Sequence, residues 1–218
     1  MSSSQVNPVD ELRREIDSVK SDFSGLINKS SLSSVKDEYS ALDTNIANLG
    51  LRVKKIRDRK YAFNKLYEQQ AADYLKQWTS KKFSIQSQIN TEANRLISEI
   101  RPLEQRVSRL QVGMASMSIV KTVKSEVDHF ESRVSSVESS LRQLYDELKS
   151  EVDQLVRQLD MIESTLDHSE AASFGFLPGE CVVMAVKAVW TKDKKEDKGD
   201  PEGILFLTDQ RLIFEQKQ

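Results

Sequence analysis

Apolar residues recur along most of the chain at alternating steps of four and three, the spacing of an amphipathic helix with a heptad seam. The first run predicts a helix over residues 9–28. A cluster of serines at 30–34 then interrupts the pattern and indicates a turn. The seam resumes at Val35 and continues to Leu110, which predicts one long helix over residues 35–112.

The seam crosses Pro102 without a change of phase, so this helix is expected to kink at the proline rather than end there. Near Gly113 the spacing fails, which predicts either a reversal of chain direction or a stammer in the coiled coil close to residue 115. A third run predicts a helix over residues 118–168. Its steps from Leu144 through Leu148 to Val152 form a stutter, which indicates local unwinding.

These elements predict a mainly α protein. The expected architecture is a long antiparallel coiled-coil or helical-hairpin rod over residues 9–170, preceded by a disordered N-terminus at residues 1–8. The pattern changes after Ala171. Residues 181–190 and 204–215 are rich in β-branched and aromatic side chains, which predicts a strand, a loop and a β-hairpin.

The loop between the predicted strand and hairpin is highly charged. Four lysines at residues 192–198 are balanced by four acidic residues within 193–200, so the local net charge is zero. A solvated loop is therefore favoured over a lipid-headgroup site.

Two segments of this C-terminal region resemble the opening of a GRAM or bacterial pleckstrin-homology-like (PH-like) domain. The first is Leu177-Pro-Gly-Glu180. The second, Gly203 to Phe214, follows the hairpin pattern G-x-L-x-L-T-x-x-R-L-x-F. The resemblance covers residues 174–217 and implies a partial PH-like sheet that acts as an adaptor module. That family's barrel has more strands and a closing helix. Either the chain is truncated after Gln218, which is the favoured interpretation, or something else covers the open sheet edge at residues 211–217. The helical part carries no comparable motif.

Composition limits the classes of protein that fit. The chain of 218 residues has 30% charged and 38% hydrophobic residues, with only 7 Gly and 4 Pro, which excludes a sandwich or barrel over its full length. The net charge of -2 provides no global attraction to polyanions. The single cysteine, Cys181, indicates a buried thiol in a reducing compartment. With neither a signal peptide nor an apolar membrane span in the sequence, a cytoplasmic location is expected.

Candidate catalytic and metal-binding chemistry is sparse. His129, His168 and Cys181 share no metal-ligand spacing. The sequence contains neither a nucleophile elbow nor a glycine-rich phosphate loop. We therefore expect a protein that is not an enzyme and that uses no cofactor and no metal.

The strongest functional signal is a basic segment, residues 51–82, in which ten Lys and Arg face three acidic residues for a net charge of +7. Aromatic residues are interleaved with the cations, as in proteins that bind single-stranded nucleic acid or anionic lipid. The candidate polyanion-binding residues are Arg52, Lys54, Lys55, Arg57, Arg59 and Lys60.

The favoured interpretation of this basic segment is internal or intersubunit pairing with an acidic one. Residues 149–180 carry a net charge of -5. If the chain reverses near residue 115, residues 51–82 face 148–179 in an antiparallel register, and the opposite charges would fix that register.

Two functions follow. The first is a non-enzymatic coiled-coil scaffold or structural protein that forms a homodimer through the heptad seam and carries the PH-like adaptor; its protein partner is open. The alternative is a peripheral membrane or nucleic-acid binding protein that uses the basic segment.

Overall fold

The computed structural model describes residues 7–191 and 199–216. It is 70% helical. Among the described residues, strands occur only near the C-terminal end, which confirms the prediction of a mainly α protein with a small β segment. The five helices are α1 Pro8–Ser30, α2 Ser33–Asp58, α3 Tyr67–Ser108, α4 Met117–Arg142 and α5 Asp146–Glu170. The three strands are β1 Val182–Val189, β2 Glu202–Thr208 and β3 Leu212–Gln216.

Most of the predicted disordered N-terminus, residues 1–6, and the lysine-rich part of the charged loop, residues 192–198, lie outside the described residues. The start of α1 is defined by its cap. The Asn7 side chain accepts a hydrogen bond from the Val9 N–H at 3.1 Å, and Pro8 occupies the first helical position, where no N–H is needed.

The predicted turn between the first two helices is present. Leu32 adopts a left-handed conformation, with φ of 53°, and is fully buried. A left-handed leucine is unfavourable by itself, so burial of the side chain is what compensates for the backbone conformation. α2 then begins at Ser33, two residues before the predicted start.

The prediction of one continuous helix over residues 35–112 is wrong. α2 ends at Asp58 and α3 begins at Tyr67. Lys60 and Asn64 in the connecting segment have positive φ of 68° and 49°, a conformation that a helix cannot contain. The helical periodicity overlooked this break because Phe63 and Tyr67 happen to fall in phase with the seam of α2.

The seam of α3 keeps one phase over its first half, where Tyr67, Ala71, Trp78 and Ile85 are all buried. The helix continues through Pro102, as predicted. The predicted reversal lies in residues 109–116, where Gly113 has φ of 93°.

The predicted helix over residues 118–168 is also two helices, because residues 143–145 leave the helical conformation between α4 and α5. This break coincides with the stutter in the heptad pattern. The side chain of Tyr145 turns inward there and is 2% exposed. A stutter can be absorbed by unwinding, but here the burial of a large aromatic ring favours a complete interruption.

The chain forms two compact units. One unit comprises residues 1–41 and 79–147, and its interhelical ion pairs define the helix directions. Arg106 pairs with Glu126 and Arg133 with Glu99, so α3 and α4 are antiparallel. Two ion pairs join α1 to α4: Glu15 with Lys124, and Lys29 with Glu131. Residue numbers increase in the same direction along both helices, so α1 and α4 are parallel.

The other unit comprises residues 42–78 and 148–218. Its helical core contains the fully buried side chains of Leu49, Ile56, Val152 and Leu159. Trp78 of α3 is also buried, and its Nε1–H donates to Asp43 Oδ1 of α2 at 2.6 Å. This hydrogen bond satisfies the only polar atom of the indole ring.

The three strands form an antiparallel sheet in the order β1-β2-β3. Ala185 of β1 lies opposite Phe206 of β2, and Leu205 of β2 lies opposite Phe214 of β3. The inner face packs in the second unit through Phe206, which is 0% exposed and contacts the rings of Phe174 and Phe176. Phe206 therefore anchors the inner face of the sheet.

Candidate functional site

Two arginines of the predicted polyanion site are held by acidic residues of α5. Arg52 donates to both carboxylate oxygens of Glu163 at 3.0 Å and to Asp160 at 2.6 Å. Arg59 donates to Glu170 at 2.8 Å and to Asp167 at 2.7 Å. Both arginine side chains are only about one-fifth exposed, at 23% and 17%. These two cations are therefore already paired within the protein.

Pairing between the basic and acidic segments is thus confirmed, but the predicted antiparallel register is wrong. Arg52 pairs with residues 160 and 163 of α5, and Arg59, seven positions later in α2, pairs with residues 167 and 170, seven positions later in α5. The two helices therefore run parallel. The physical reason is the break between α2 and α3. It reverses the chain once more than the sequence pattern indicated, and the basic segment is divided between two helices.

Arg57 has a different role, because it organises the segment that joins α2 to α3. Its guanidinium donates to the backbone carbonyls of Tyr61, Phe63 and Asn64 at 2.7–2.8 Å. It also pairs with Glu68 at 2.7 Å, and this hydrogen bond lowers the pKa of the Glu68 carboxyl. An arginine fork can satisfy several carbonyls at once, which replaces the lost helical hydrogen bonds.

The lysines of the predicted site remain accessible. Lys54, Lys55 and Lys60 are exposed, and none of them forms an ion pair within the described part of the chain. Of the six candidate residues, the three arginines stabilise the fold and the three lysines face solvent. The structure therefore halves the charge that this site offers to an external polyanion.

A groove of about 490 Å³ lies between α2 and α3 on the side of Lys54. Its floor is made of small residues, including Ala47, Gly50 and Ala71, and Leu75 stands at its rim with 48% exposure. Arg57 and Glu68 line one end, already paired with each other. The groove is apolar and open, with little polar chemistry to select a small ligand.

The residues that carry the GRAM/PH-like resemblance contact one another. Glu180 accepts two hydrogen bonds from Arg211, at 2.8 and 2.9 Å, and one from the Thr208 hydroxyl at 2.8 Å. It also accepts the Leu177 N–H at 2.6 Å. The Glu180 side chain is 0% exposed, and the hydrogen bond from Arg211 is the main cause that lowers its pKa to about 2.

Two glycines of the same pattern are required by geometry. Gly179 has φ of 78°, which side chains rarely tolerate. At Gly203 a Cβ atom would lie 2.2 Å from the Glu215 carbonyl oxygen and 2.8 Å from the Phe214 ring. Glu180, Thr208, Arg211 and the two glycines of the pattern therefore have structural roles in the turns and in the packing of the sheet.

The face of the sheet opposite Phe206 is exposed and apolar. Trp190 packs against Phe214 with ring centroids 5.6 Å apart, yet remains 58% exposed, and Leu212 is 64% exposed. The side chains that form this outer face are Met184, Val186, Trp190, Leu205, Leu207, Leu212 and Phe214. The alternation of side chains along the strands predicts two faces of the sheet. The sequence does not indicate which of the two faces packs against the helices.

Two further contacts show how β1 is attached to the helices. The Ala185 N–H donates to the Thr165 hydroxyl of α5 at 3.1 Å, and the Tyr61 hydroxyl donates to the Val183 carbonyl at 3.4 Å. Thr165 sits on the apolar face of α5 and is itself buried. A threonine on the apolar face of a helix is the one sequence feature that could have indicated a hydrogen bond to another element at this position.

Metal and catalytic chemistry can be assessed only for the described residues. Among these, no three His, Cys, Asp or Glu side chains converge as a metal site requires. Cys181 is half-buried, rather than buried as predicted. None of the described helices has the length and apolarity needed to cross a bilayer. Comparison with protein-family models, with characterised proteins and with solved structures finds no match to this chain.

Proposed function

We propose that the protein is a non-enzymatic scaffold that self-associates and carries a PH-like sheet as a protein-binding module. The helices form an antiparallel coiled-coil hairpin around α3 and α4 in this proposal. Its support is the buried heptad seam of the two helices, which includes Leu96 and Val120, and the ion pairs between them.

The observation that carries the proposal is the outer face of the sheet. Isolated apolar residues are common on surfaces, but a contiguous apolar sheet face is typical of an interaction surface. Strand β3 adds to it, since it pairs with β2 on one side and with no other described strand. An open apolar edge next to an apolar face favours association with another polypeptide.

The expected homodimer through the heptad seam requires a revision. The seam side chains are buried within a single chain; Val19, Leu49 and Val152 are each 0% exposed. A second copy would have to open the core to reach them. We therefore assign self-association to the outer face of the sheet and the edge of β3, which are accessible without any rearrangement.

Sedimentation of the full chain over a range of concentrations tests this assignment. We expect a concentration-dependent dimer for the natural sequence and a monomer for Leu212→Asp. Met161→Asp is the matched control, because Met161 is an apolar residue of α5 with a similar exposure of 57%. A natural chain that stays monomeric, or a dimer unaffected by Leu212→Asp, would contradict the proposal.

A second function, polyanion binding by the basic segment, is favoured by the exposed lysines at 54, 55 and 60. The informative variant is Lys54→Glu/Lys55→Glu, since it spares the arginines that stabilise the fold. Loss of binding to single-stranded nucleic acid, with a normal circular dichroism spectrum, would support this function. Unchanged binding, or none in the natural chain, would remove it.

A further inference from the structure

The turn between α3 and α4 presents apolar side chains to solvent. Val112 is 40% exposed, Met114 is 81% exposed and Ile119 is 51% exposed. These three residues, here called the apolar tip, lie within eight positions of one another around the left-handed Gly113. A groove of about 400 Å³ next to them is lined by Leu110, Val123 and other residues of both helices, which extends the apolar surface.

The charge around the apolar tip is mostly positive. Residues 105–125 contain four basic residues and no acidic one, a net charge of +4 in a chain whose total is -2, and Glu104 and Glu126 flank this stretch. Glu126 also lines the groove beside the tip, where it is paired with Arg106. Two of the four cations are paired: Arg106 with Glu126, and Lys124 with Glu15. Arg109 and Lys121 are exposed and form no ion pair with any described residue. Two free cations thus flank the apolar tip.

This combination selects one class of partner. Exposed aliphatic residues flanked by cations match the boundary between headgroups and acyl chains of an anionic bilayer. Nucleic acid fits less well, because binding of unpaired bases depends on stacking against aromatic rings. Residues 84–129 contain no Phe, Tyr or Trp.

We propose that the α3–α4 turn docks on the surface of an anionic bilayer. Met114 and Ile119 enter the boundary of the acyl chains, while Arg109 and Lys121 contact headgroup phosphates. The site is separate from the basic segment of α2, so lipid binding by this turn does not depend on Lys54 or Lys55. Each free cation contributes about a fivefold increase in partitioning.

Co-sedimentation of the full chain with vesicles tests the proposal. We expect binding to phosphatidylcholine vesicles that contain phosphatidylserine and much weaker binding to phosphatidylcholine alone. Arg109→Gln/Lys121→Gln is expected to weaken binding about 25-fold, from two such contributions. Met114→Ser/Ile119→Ser removes the apolar contribution at the same charge and is also expected to lose most of the binding.

Lys54→Gln/Lys55→Gln is the matched control, because it removes the same charge from exposed lysines of α2 and should leave binding unchanged. Binding lost in this control and retained in both tip variants would assign lipid contact to the basic segment and overturn the proposal. A natural chain that ignores anionic vesicles would overturn it too, and would leave the apolar tip to a protein partner.

Insertion is measured separately with Met114→Trp. The natural tryptophans are Trp78, which is buried, and Trp190 on the sheet, so quenching by brominated lipid above the level of the natural chain reports the tip. We expect a blue shift and added quenching with anionic vesicles. Binding without added quenching would show that the apolar tip stays in water, which contradicts the proposed depth.

Discussion

Glu180 and Arg211, 31 residues apart in the chain, form a two-pronged ion pair with N–O distances of 2.8 and 2.9 Å. It joins the turn before β1 to the turn between β2 and β3. Asp209 adds a second link between the same turns by accepting the Cys181 N–H at 2.9 Å. The two ends of the GRAM/PH-like pattern are therefore one structural unit, and a substitution at either end should lower the stability of the sheet.

Acid should weaken this unit. The pKa of Glu180 is lowered from 4.5 to about 2 in the folded protein, mainly by the hydrogen bond from Arg211. In the unfolded chain the carboxyl binds a proton near its ordinary pKa, so its contribution to stability is complete above about pH 4.5 and is lost as the pH falls toward 2. Denaturation monitored by tryptophan fluorescence should show this loss. In Glu180→Gln, the free energy of unfolding should be lower and less pH-dependent in that range.

Glu202→Gln serves as the control for the acid experiment, since Glu202 is an exposed carboxyl of β2. Its pH profile should match that of the natural chain. An unchanged profile in Glu180→Gln as well would show that the ion pair does not govern the acid sensitivity of the sheet.

The parallel register of α2 and α5 predicts a charge swap. Arg52→Glu places a carboxylate beside Glu163 and Asp160 and should lower the free energy of unfolding by about 1–3 kcal/mol. Adding Glu163→Arg should restore at least half of that loss, because the pair is re-formed with opposite orientation. Urea denaturation of the two single variants and the double variant measures the coupling.

The same cycle with Glu170→Arg in place of Glu163→Arg is the comparison, because Glu170 pairs with Arg59 and not with Arg52. No recovery is expected there. Equal coupling in both cycles would be inconsistent with the parallel register.

Replacing Arg57 should destabilise the segment between α2 and α3. Arg57→Lys keeps the charge but cannot reach three carbonyls and a carboxylate together, so a loss of about 1.5–3 kcal/mol is expected. Amide hydrogen exchange of residues 59–66 should accelerate as well. Lys55→Gln, an exposed change two residues away, should stay within about 0.5 kcal/mol of the natural chain. Similar effects in both would refute the structural role of Arg57.

Tyr145 should ionise at a pH above the ordinary range of a phenol. Burial, and then the nearby charge of Glu38, raise its pKa to about 12 from the ordinary 10.0. The unfolded chain loses this proton first, so stability is complete below about pH 10 and falls as the pH rises toward 12. Absorbance titration at alkaline pH should show a late step that is missing in Tyr145→Phe. A late step that persists in this variant would assign it to another tyrosine.

Local sequence was sufficient for the helical class, the turn at Leu32, the reversal around Gly113 and the three strands, because each depends on spacing or on residues with special backbone preferences. It also indicated that Arg52 and Arg59 would meet an acidic segment, since opposite blocks of charge rarely remain apart in a compact protein. The helices, turns and strands are encoded within short stretches of sequence, whereas the pairing of the charged segments is inferred from their opposite net charges.

The direction of that pairing was decided only by the tertiary structure. The segment between α2 and α3 exists because Arg57 satisfies carbonyls that would otherwise lose their helical partners, and because Tyr61 is buried against other parts of its unit. Hydrophobic periodicity predicts which residues are buried. It does not predict which side chains form hydrogen bonds with the backbone groups that are left unpaired where a helix is interrupted. The same limit applies to the sheet: alternation defines two faces of β2, and only the packing of Phe206 determines which face is buried and which remains open to a partner.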